Sequence, residues 1–562
     1  MKGTNAKKVV RGEWTPMGSL CYVLGVLLML VVAVTLCSIR TPRNQSSLME
    51  RFMDFQLPLK KNLAEDVLLS SADIDCASLG SPLKSIPSDE QYHPKNTLDA
   101  EVCTSKYMQH CYWNATRKPP PPQFLQALRE YEALHQRCVG NHNLTELFVA
   151  GKVPEGCKYL VWKEQDGKGN QIMSLVSAFI YSLLTKRTLL TMPSLGHVDG
   201  SLHHLLCEPF PGSSWKLPPD FPLDAMLQQT DVQWDYFHKV DNLTKNGSES
   251  YLDASSTISP SRLYITLSNY NVPDHEDRRF FCPAEQTLLS RIPWLVLKSN
   301  NYIAAGFYFL PEYRQALNQL FPDRAMFLHA GRYLLNPRND IWGRITRFYD
   351  GYLLNADKKI GIQVRSWKPE YNPILSEHIL RCATLNNILP NVTQEDTAPP
   401  TKTPPERVTV LMTGLVAQYH HDVREKYLRN ANVRGDSISV LSPSSEGVQQ
   451  TGDVEHDKKA LADMWLLSFM DDLVSSPKST FGYVAHGLAG ITPYVFVRWG
   501  FEDYTQYNGC ERSNLAGPCY IDTPHGQECP LDPPGTRIGD PNAAVPEIQH
   551  CRNQWGVGVF PG

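Results

Sequence analysis

The residues best suited to chemistry include an arginine at the end of an apolar strand. Ile360–Val364 predicts a buried strand, and Arg365 follows it directly. In an open α/β sheet, ligands bind outside the carboxyl ends of the strands. A guanidinium there matches an anion such as a diphosphate through two parallel hydrogen bonds. For a single arginine of this kind, a surface ion pair is the alternative.

A second chemical feature is the hydroxyl-rich turn Ser475–Gly482, which lies between a short strand and a helix. It predicts that Ser479 or Thr480 caps the helix start, where free backbone N–H groups and the helix dipole bind anions. Helix capping without a ligand is the alternative. If this turn and Arg365 share one domain, they flank one diphosphate. The absence of a Walker lysine motif and of G-x-G-x-x-G argues against a hydrolysed nucleoside triphosphate and a dinucleotide.

Two weaker candidates precede Arg365 in the chain. The glycine loop Gly167–Asn170 is expected between a strand and a helix, and its glycines allow close approach of the backbone. An ordinary strand-to-helix turn accounts for it equally well. The polar cluster Asp274–Asp277 either contains a base or is a solvated loop.

The elements expected to hold these residues alternate between strands and helices. Lys158–Trp162 and Thr188–Met192 predict strands around a helix, whereas residues 194–300 predict less regular structure. A second alternating series follows a junction near Phe348–Asp357. The pattern predicts an α/β fold with two Rossmann-like domains that face a cleft. In the second series we expect strands at Ile360–Val364, Val408–Met412, Ile438–Leu441, Leu473–Ser475 and Tyr494–Val497, and helices at Pro373–Leu389, Ala417–Asn430, Lys458–Asp471 and Thr480–Leu488.

Length and composition restrict the class of protein. A chain of 562 residues exceeds a single hydrophobic core, so at least two domains are expected. The content of 42% hydrophobic and 20% charged residues is typical of a globular protein. A net charge of −4 gives no electrostatic case for nucleic acid as a partner.

The amino terminus predicts a membrane anchor. Met17–Ile39 is an uncharged apolar run of 23 residues, long enough to cross a bilayer as a helix. Basic residues exceed acidic ones in residues 1–16, which predicts a cytoplasmic tail and a lumenal remainder. Residues 40–99 are polar and predict a stem. A cleaved signal peptide is the alternative, although no clean cleavage site follows the run before Arg40.

Cysteines and glycosylation sequences agree with a lumenal head. Of 14 cysteines, two lie in the apolar run, and the other twelve lack paired C-x-x-C spacing. They predict disulfides rather than zinc, with four of them near the carboxyl end. Six N-x-S/T acceptors follow the run, at Asn44, Asn114, Asn143, Asn242, Asn246 and Asn391.

Several long motifs are specific enough to indicate a family. They are Tyr131–Cys138, Cys207–Phe210, Ser214–Trp215, Asp220–Pro222, Phe280–Cys282, Pro293–Leu295, Gly331–Leu334, Gly361–Arg365 and Ser479–Ala485. With these motifs, the chain from about Glu101 to its carboxyl end resembles plant cell-wall fucosyltransferases of the xyloglucan α-1,2-fucosyltransferase type.

The resemblance implies a single-pass type II Golgi membrane enzyme with a GT-B-like head. Residues 100–350 would form the acceptor-side α/β domain and residues 351–562 the GDP-fucose-binding domain with its cysteine-rich tail. The implied reaction transfers L-fucose, with inversion, from GDP-fucose to a galactose of a cell-wall glycan such as xyloglucan or arabinogalactan protein. Neither a metal ion nor another cofactor is expected. A homodimer, or a complex with other glycosyltransferases, is a further expectation.

The resemblance also implies roles for individual residues. Arg365 would bind the GDP phosphates and act in catalysis. Asn300 stands where members of that family carry an acidic residue, and an amide orients a hydroxyl but does not accept its proton. A membrane-anchored subunit that binds GDP-fucose or glycans without catalysis is the alternative. Two loops, Thr413–Gly414 and Glu446–Gly447, would lie beside the guanosine of the donor. The other implied donor-side residues are Ser479, Thr480, Phe481 and Tyr483, and the acceptor-side residues are Gly169, Asn170 and Asn300.

Overall fold

The structure is a computed structural model that describes residues 103–113, 118–193, 199–223, 261–268, 279–366, 370–395, 404–444, 446–450, 452–496, 510–521, 523, 526–539, 545–552 and 556–560. All of these residues belong to one compact unit. Within them, no helix has the length and apolar character needed to cross a bilayer. The predicted cytoplasmic tail, membrane anchor and stem fall outside the described residues.

A first sheet contains four parallel strands in the order β2-β1-β4-β3. All four are apolar and almost wholly buried, as in parallel sheets covered on both faces. The two central strands, β1 and β4, end side by side, because Lys163 pairs with Lys298. The strands are β1 Tyr159–Lys163, β2 Thr188–Met192, β3 Arg262–Leu267 and β4 Trp294–Ser299.

A second sheet contains six strands in the order β12-β11-β10-β5-β7-β9. Neighbouring strands are parallel except for β12, which runs antiparallel to β11. The strands are β5 Lys358–Val364, β7 Arg407–Gly414, β9 Ser437–Leu441, β10 Asp472–Ser475, β11 Tyr494–Phe496 and β12 Cys510–Arg512. Two small antiparallel pairs join β6 Val392–Glu395 to β8 Asn430–Asn432, and β13 Ile548–His550 to β14 Val557–Val559.

Helices connect and flank the strands. Shorter 3-10 segments lie at Gln109–Cys111 and Ile303–Phe309, and a π-helical turn spans Tyr349–Leu353 before β5. The α-helices are α1 Thr104–Met108, α2 Pro122–Val139, α3 Leu144–Ala150, α4 Lys168–Thr185, α5 Leu202–Leu205, α6 Pro283–Leu289, α7 Pro311–Leu320, α8 Met326–Leu334, α9 Asn339–Phe348, α10 Pro373–Leu385, α11 Ala417–Arg429, α12 Val454–Ser468 and α13 Thr480–Ala489.

The predicted α/β class with parallel sheets is confirmed, and so are the strands and helices of the second series, to within a few residues at their ends. The prediction of irregular structure over residues 194–300 is wrong in part, because β3, α6 and β4 lie there. Gly169 and Asn170 were expected in a loop but belong to the first turn of α4, which begins at Lys168. The connection after β1 is only the four residues Glu164–Gly167, so the helix starts two residues before Asn170.

Helix α13 lies at the junction between the two sheets and packs against α4, α8 and α12. Its residues are small or apolar, and Gly482–Ala489 are buried. Arg332 of α8 donates to the carbonyls of Leu488 (2.9 Å) and Ala489 (3.3 Å) at the end of α13, and its guanidinium lies 4.1 Å from the Trp113 ring. Burial lowers the pKa of Arg332 to about 9. The arginine therefore holds the carboxyl end of α13.

The carboxyl-terminal segment returns to the first sheet. Asn301, just after β4, donates from Nδ2 to the Ile521 carbonyl (2.6 Å) and accepts from the Ile521 N–H (3.2 Å). Asn318 of α7 donates to buried Glu547 at 2.7 Å. The last part of the chain therefore completes the first half of the molecule rather than only the second.

The predicted disulfides are confirmed for the described cysteines. Cys111 is disulfide-bonded, and Cys282 at the start of α6 is joined to Cys529 in the returning segment. The described pairs are Cys103–Cys207, Cys138–Cys157, Cys282–Cys529, Cys382–Cys510 and Cys519–Cys551.

Candidate functional site

The second sheet brings several predicted donor-side residues to one edge. Gln363 near the end of β5 lies level with Thr413 in β7 and Ser475 in β10. Because the carboxyl ends of parallel strands share an edge, Arg365 leaves the sheet between the ends of its two neighbours. Thr413 and Gly414, expected in a loop, are the last two residues of β7.

The backbone of Arg365 is fixed by the turn after β10. Its N–H donates to Ser476 Oγ at 2.8 Å. Buried Gln363 holds that turn in place, since its Oε1 accepts from Ser475 Oγ (3.1 Å) and from the Ser476 N–H (3.3 Å). The side chain of Arg365 therefore extends from a fixed backbone position at the sheet edge.

Helix α13 starts at the same edge. Ser479 is its N-cap, as predicted, and accepts from the Gly482 N–H at 3.5 Å. A Cβ on Gly482 would overlap Ser475 Oγ, so glycine lets the helix start approach the end of β10. Lys478, with φ +55°, turns the chain between β10 and the helix. The first turn of α13 thus lies at the same sheet edge as Arg365, and a helix N-terminus of this kind binds anions in other proteins.

The predicted loop at Glu446 and Gly447 lies beside the end of β7. The Gly447 N–H donates to the carbonyl of Leu415, the residue after Gly414, at 2.7 Å, and Gly447 has φ +78°. Glu446 Oε1 pairs with Lys459 Nζ of α12 at 2.5 Å. These contacts bring the second group of donor-side residues next to the first.

The buried carboxyl of Asp463 contacts the chain just before this loop. Ser444 Oγ donates to Asp463, which is 5% exposed on α12. Burial raises the pKa of Asp463 to about 7, against the hydrogen bond from Ser444, which lowers it. The group therefore titrates near neutral pH.

The two predicted aromatic residues of α13 differ in exposure. Phe481 is half-buried against the main core, whereas Tyr483 is only 1% exposed and burial raises its pKa. Tyr483 therefore supports the helix from inside the fold. The Tyr483 hydroxyl and Thr413 Oγ1 are both buried without a hydrogen-bond partner among the described residues.

The acceptor-side residues meet the donor helix directly. Thr480 Oγ1 donates to Asn170 Oδ1 (3.0 Å), and Asn170 Nδ2 donates to the Asn300 carbonyl (2.8 Å). Asn300 Nδ2 in turn donates to Asp166 Oδ2 at 2.7 Å. We call Asp166, Asn170, Asn300 and Thr480 the junction network, because they connect the carboxyl edges of the two sheets.

A close backbone contact accompanies the junction network. A Cβ on Gly169 would lie 2.6 Å from the Thr480 carbonyl carbon and 2.8 Å from the Phe481 nitrogen. Next to it, Lys168 Nζ of α4 pairs with Asp457 Oδ2 of α12 at 3.4 Å, and both side chains are largely buried. The starts of α4 and α13 therefore touch, and beside this contact a buried ion pair joins α4 to α12.

Glu164, the residue after β1, is buried near this ion pair. Its Oε1 accepts from the Leu202 N–H at 2.6 Å. Burial raises the pKa of Glu164 to about 7, although the charge of Lys168 and the N–H groups of Leu202 and His203 lower it. Sequence reasoning did not single out this carboxyl.

The structure thus brings the donor-side and acceptor-side residues together around the start of α13. The family described as Xyloglucan fucosyltransferase matches residues 95–529. The chain belongs to the xyloglucan fucosyltransferase family. Galactoside 2-alpha-L-fucosyltransferase of Arabidopsis thaliana is 37% identical over 475 residues, covering 82% of this chain and 81% of the relative. Galactoside 2-alpha-L-fucosyltransferase of Pisum sativum is 36% identical over 471 residues, covering 82% and 80%.

A solved relative resembles this xyloglucan fucosyltransferase family member in three dimensions. The structure of an arginine-to-lysine mutant of Arabidopsis thaliana FUT1 in complex with GDP matches with a TM-score of 0.69 and 34% identity. The match covers 83% of this chain and 98% of that one. The family resemblance predicted from the motifs is therefore confirmed.

Other predicted residues are separate from the site or not described. Asn143 and Asn391 are exposed, and Asn143 caps α3 by accepting from the Glu146 N–H at 3.2 Å. The other four glycosylation sequences and the polar cluster Asp274–Asp277 lie outside the described residues. Cys282, Cys529 and Asp532 lie close together, but the two sulfurs of this family member form a disulfide and are not free to bind a metal.

Proposed function

We propose that this chain transfers L-fucose from GDP-L-fucose to a galactose hydroxyl of a plant cell-wall glycan, forming an α-1,2 linkage with inversion. Membership of the xyloglucan fucosyltransferase family supports the transfer. Relatives named galactoside 2-alpha-L-fucosyltransferase support galactose as the acceptor, and the solved relative bound to GDP supports the nucleotide. Xyloglucan and arabinogalactan protein are the proposed acceptors.

One observation in the structure carries the donor assignment. Arg365 and the start of α13 lie at the same sheet edge, joined through Ser476 and Gln363. A guanidinium and a helix N-terminus are two of the features that bind diphosphates most strongly. Thr413, Gly414, Glu446 and Gly447, which lie at or beside the end of β7 at the same edge, are proposed to contact the nucleoside.

The chemistry follows from charge that develops on the leaving group. The acceptor oxygen forms a bond to C1 of fucose while the bond from C1 to the β-phosphate oxygen breaks, and GDP leaves with the electron pair. Arg365 and the N–H groups of α13 stabilise the growing negative charge on the β-phosphate more than the ground state. They would replace a metal ion in that role.

The cellular setting belongs to the same proposal. A Golgi type II anchor at Met17–Ile39, with a lumenal catalytic part, is supported by the apolar run and by the glycosylation sequences that follow it. Disulfides among the described cysteines agree with an oxidising compartment. Association as a homodimer or with other glycosyltransferases is part of the proposal.

Transfer to matched acceptors tests the function. The full chain in detergent is incubated with GDP-fucose carrying labelled fucose, a galactosylated xyloglucan oligosaccharide and arabinogalactan, each with and without prior removal of galactose by a β-galactosidase. We expect transfer only to galactosylated acceptors, and equal rates with and without EDTA. Binding of GDP without transfer to any acceptor would contradict the proposal and favour a non-catalytic binding protein.

A further inference from the structure

A carboxylate that the motifs did not single out lies within the junction network. Asp166 follows β1 by three residues, and Asn300 follows β4 directly. Because β1 and β4 are the central strands of the first sheet, both residues lie at the middle of its carboxyl edge. We infer that Asp166 is the general base that accepts the proton of the acceptor hydroxyl, an inference that rests on the proposed function.

The first support is the location of the carboxylate relative to the donor helix. Asp166 connects to the start of α13 through three successive hydrogen bonds that pass by way of Asn300 and Asn170 to Thr480. The same helix start lies beside Arg365. An acceptor at the first edge and a diphosphate at the second would therefore meet between them, and Asp166 borders this space.

The second support is the conformation of the loop. Asp166 has φ +64°, a left-handed conformation that costs a side-chain-bearing residue about 1 kcal/mol. Gln171 Nε2 donates to its carbonyl at 2.7 Å, and Gln171 Oε1 accepts from Lys168 Nζ at 3.1 Å. The helix therefore holds the backbone of Asp166 while Asn300 holds its carboxylate. Strain held in this way is typical of functional sites.

Exposure separates Asp166 from the other carboxylate in the same loop. Glu164 is 6% exposed and its Oε1 is occupied by the Leu202 N–H, so an acceptor cannot reach it. Asp457, on the facing α12, is buried and paired with Lys168. Asp166 is exposed, with the Asn300 amide on Oδ2. Among these three described carboxylates it is the one that solvent and substrate reach.

The two residues then have complementary roles. The acceptor hydroxyl attacks C1 of fucose, its proton passes to a carboxylate oxygen of Asp166, and GDP leaves with the electrons of the broken bond. Asn300 donates a hydrogen bond to the carboxylate and cannot take the proton itself, so it is a positioning residue. This pairing gives a function to an amide at a position where the family resemblance implies an acidic residue.

A swap of the two side chains tests the inference. In the full chain, Asp166→Asn should lower kcat about 100-fold to 10,000-fold, the usual contribution of a general base. GDP affinity should stay within about twofold, and kcat/KM should lose its fall toward acid pH. The double variant Asp166→Asn with Asn300→Asp restores one carboxylate and one amide to the pair. Its kcat should be at least about tenfold higher than that of Asp166→Asn alone.

Controls make each outcome decisive. Asp357→Asn removes an exposed carboxylate at the opposite end of β5 and should leave transfer unchanged. Wild-type kcat and wild-type pH dependence in Asp166→Asn would overturn the role of Asp166 but leave the proposed function intact. Absence of transfer by the wild-type chain in the same assay would overturn the proposed function and this inference with it. Circular dichroism of every variant shows that each compared protein is folded.

Discussion

The backbone of Arg365 is positioned by its neighbours in the sheet. Its N–H is bound by Ser476, and Gln363 holds Ser476 in turn. A substitution at Arg365 therefore removes the guanidinium while the backbone hydrogen bond can remain. This makes the residue a clean test of the donor site.

Arg365→Ala should lower the affinity for GDP about 100-fold or more, because a bidentate charge-assisted contact is lost. Arg365→Lys should restore little of it, since an ammonium cannot form the same fork. Isothermal titration with GDP and the KM for GDP-fucose measure the effect. Arg429→Ala, on exposed α11, is the control and should change neither value. Wild-type affinity in Arg365→Ala would remove the residue from the donor site.

Glu164 makes stability depend on pH. Burial raises its pKa from 4.5 to about 7, so the folded chain holds the proton more tightly than the unfolded chain. The contribution of Glu164 to the free energy of unfolding therefore falls as pH rises from about 4.5 to about 7, by about 3 kcal/mol in total. Glu164→Gln should lose this slope.

Denaturant unfolding at about pH 4.5, 5.5, 6.5 and 7.5, which spans the titration, measures the difference in the free energy of unfolding between Glu164→Gln and the wild-type chain. The variant should gain stability relative to wild type as pH rises. Glu130→Gln on α2 replaces an exposed carboxylate and should give parallel curves. Parallel curves for Glu164→Gln would show that this carboxyl does not titrate in that range.

Sequence reasoning singled out Arg365 and Ser479 at the edge of the second sheet, but it did not single out Asp166 at the edge of the first. Arg365 and Ser479 were predictable because a charge after an apolar strand and a hydroxyl before a helix are local signals. The contacts of Asp166 with Asn300 and of Asn170 with Thr480 join residues 134 and 310 positions apart. No local sequence pattern predicts contacts between residues so far apart in the chain. The positive φ of Asp166 is likewise visible only in the folded chain.

At the scale of elements, the close contact between the starts of α4 and α13 sets the geometry of the site. Two helix starts point toward one region, and Gly169 lets them approach. The end of α13 is held independently by Arg332. The donor helix is thus fixed at both ends by residues of the first half of the chain.

Gly169→Ala should weaken GDP binding and lower stability, because the new Cβ would lie 2.6 Å from backbone of α13. Alanine is otherwise favoured over glycine in a helix by about 1 kcal/mol, so a loss of stability isolates the clash. Thermal unfolding and GDP titration measure both effects. Gly351→Ala, where a Cβ has open space, is the control and should change little. An unchanged GDP affinity in Gly169→Ala would show that this contact does not shape the donor site.

The elements that the sequence predicted were those with clear alternation and clear boundaries. The second series has short apolar strands separated by helices with clear boundaries, and its elements lie near their predicted bounds. In the first half, the sequence between β3 and β4 is rich in proline and polar residues, which hid the pairing of β4 with β1 and of β3 with β4. The start of α4 was placed late because glycine lowers helix propensity, while packing against α13 overrides that preference.

At the scale of the whole molecule, the carboxyl-terminal segment is bonded to the first half of the chain. The bond from Cys282 to Cys529 spans 247 residues, and Asn301 with Ile521 adds two hydrogen bonds. Disulfide formation was predictable from the number of cysteines. The pairing was not, because it depends on where the tail folds back.

Removing the long-range disulfide should cost more stability than removing a short one. In the chain-entropy description, a loop of 247 residues gives about 2 kcal/mol more stabilisation than the 19-residue loop of Cys138–Cys157. Paired serine variants at each bridge, compared by thermal unfolding without reductant, measure the difference. All four sulfurs are buried, so cavity effects are matched. Equal losses would show that the tail is held mainly by its other contacts.

The returning tail has a consequence for biosynthesis. β1 through β4 leave the ribosome more than 200 residues before Ile521 and Cys529, which complete that half of the protein. The first sheet is therefore synthesised well before Cys529, the disulfide partner of Cys282. A chain that stops short of residue 521 would carry every residue of the junction network and still lack the segment that completes the first half of the molecule.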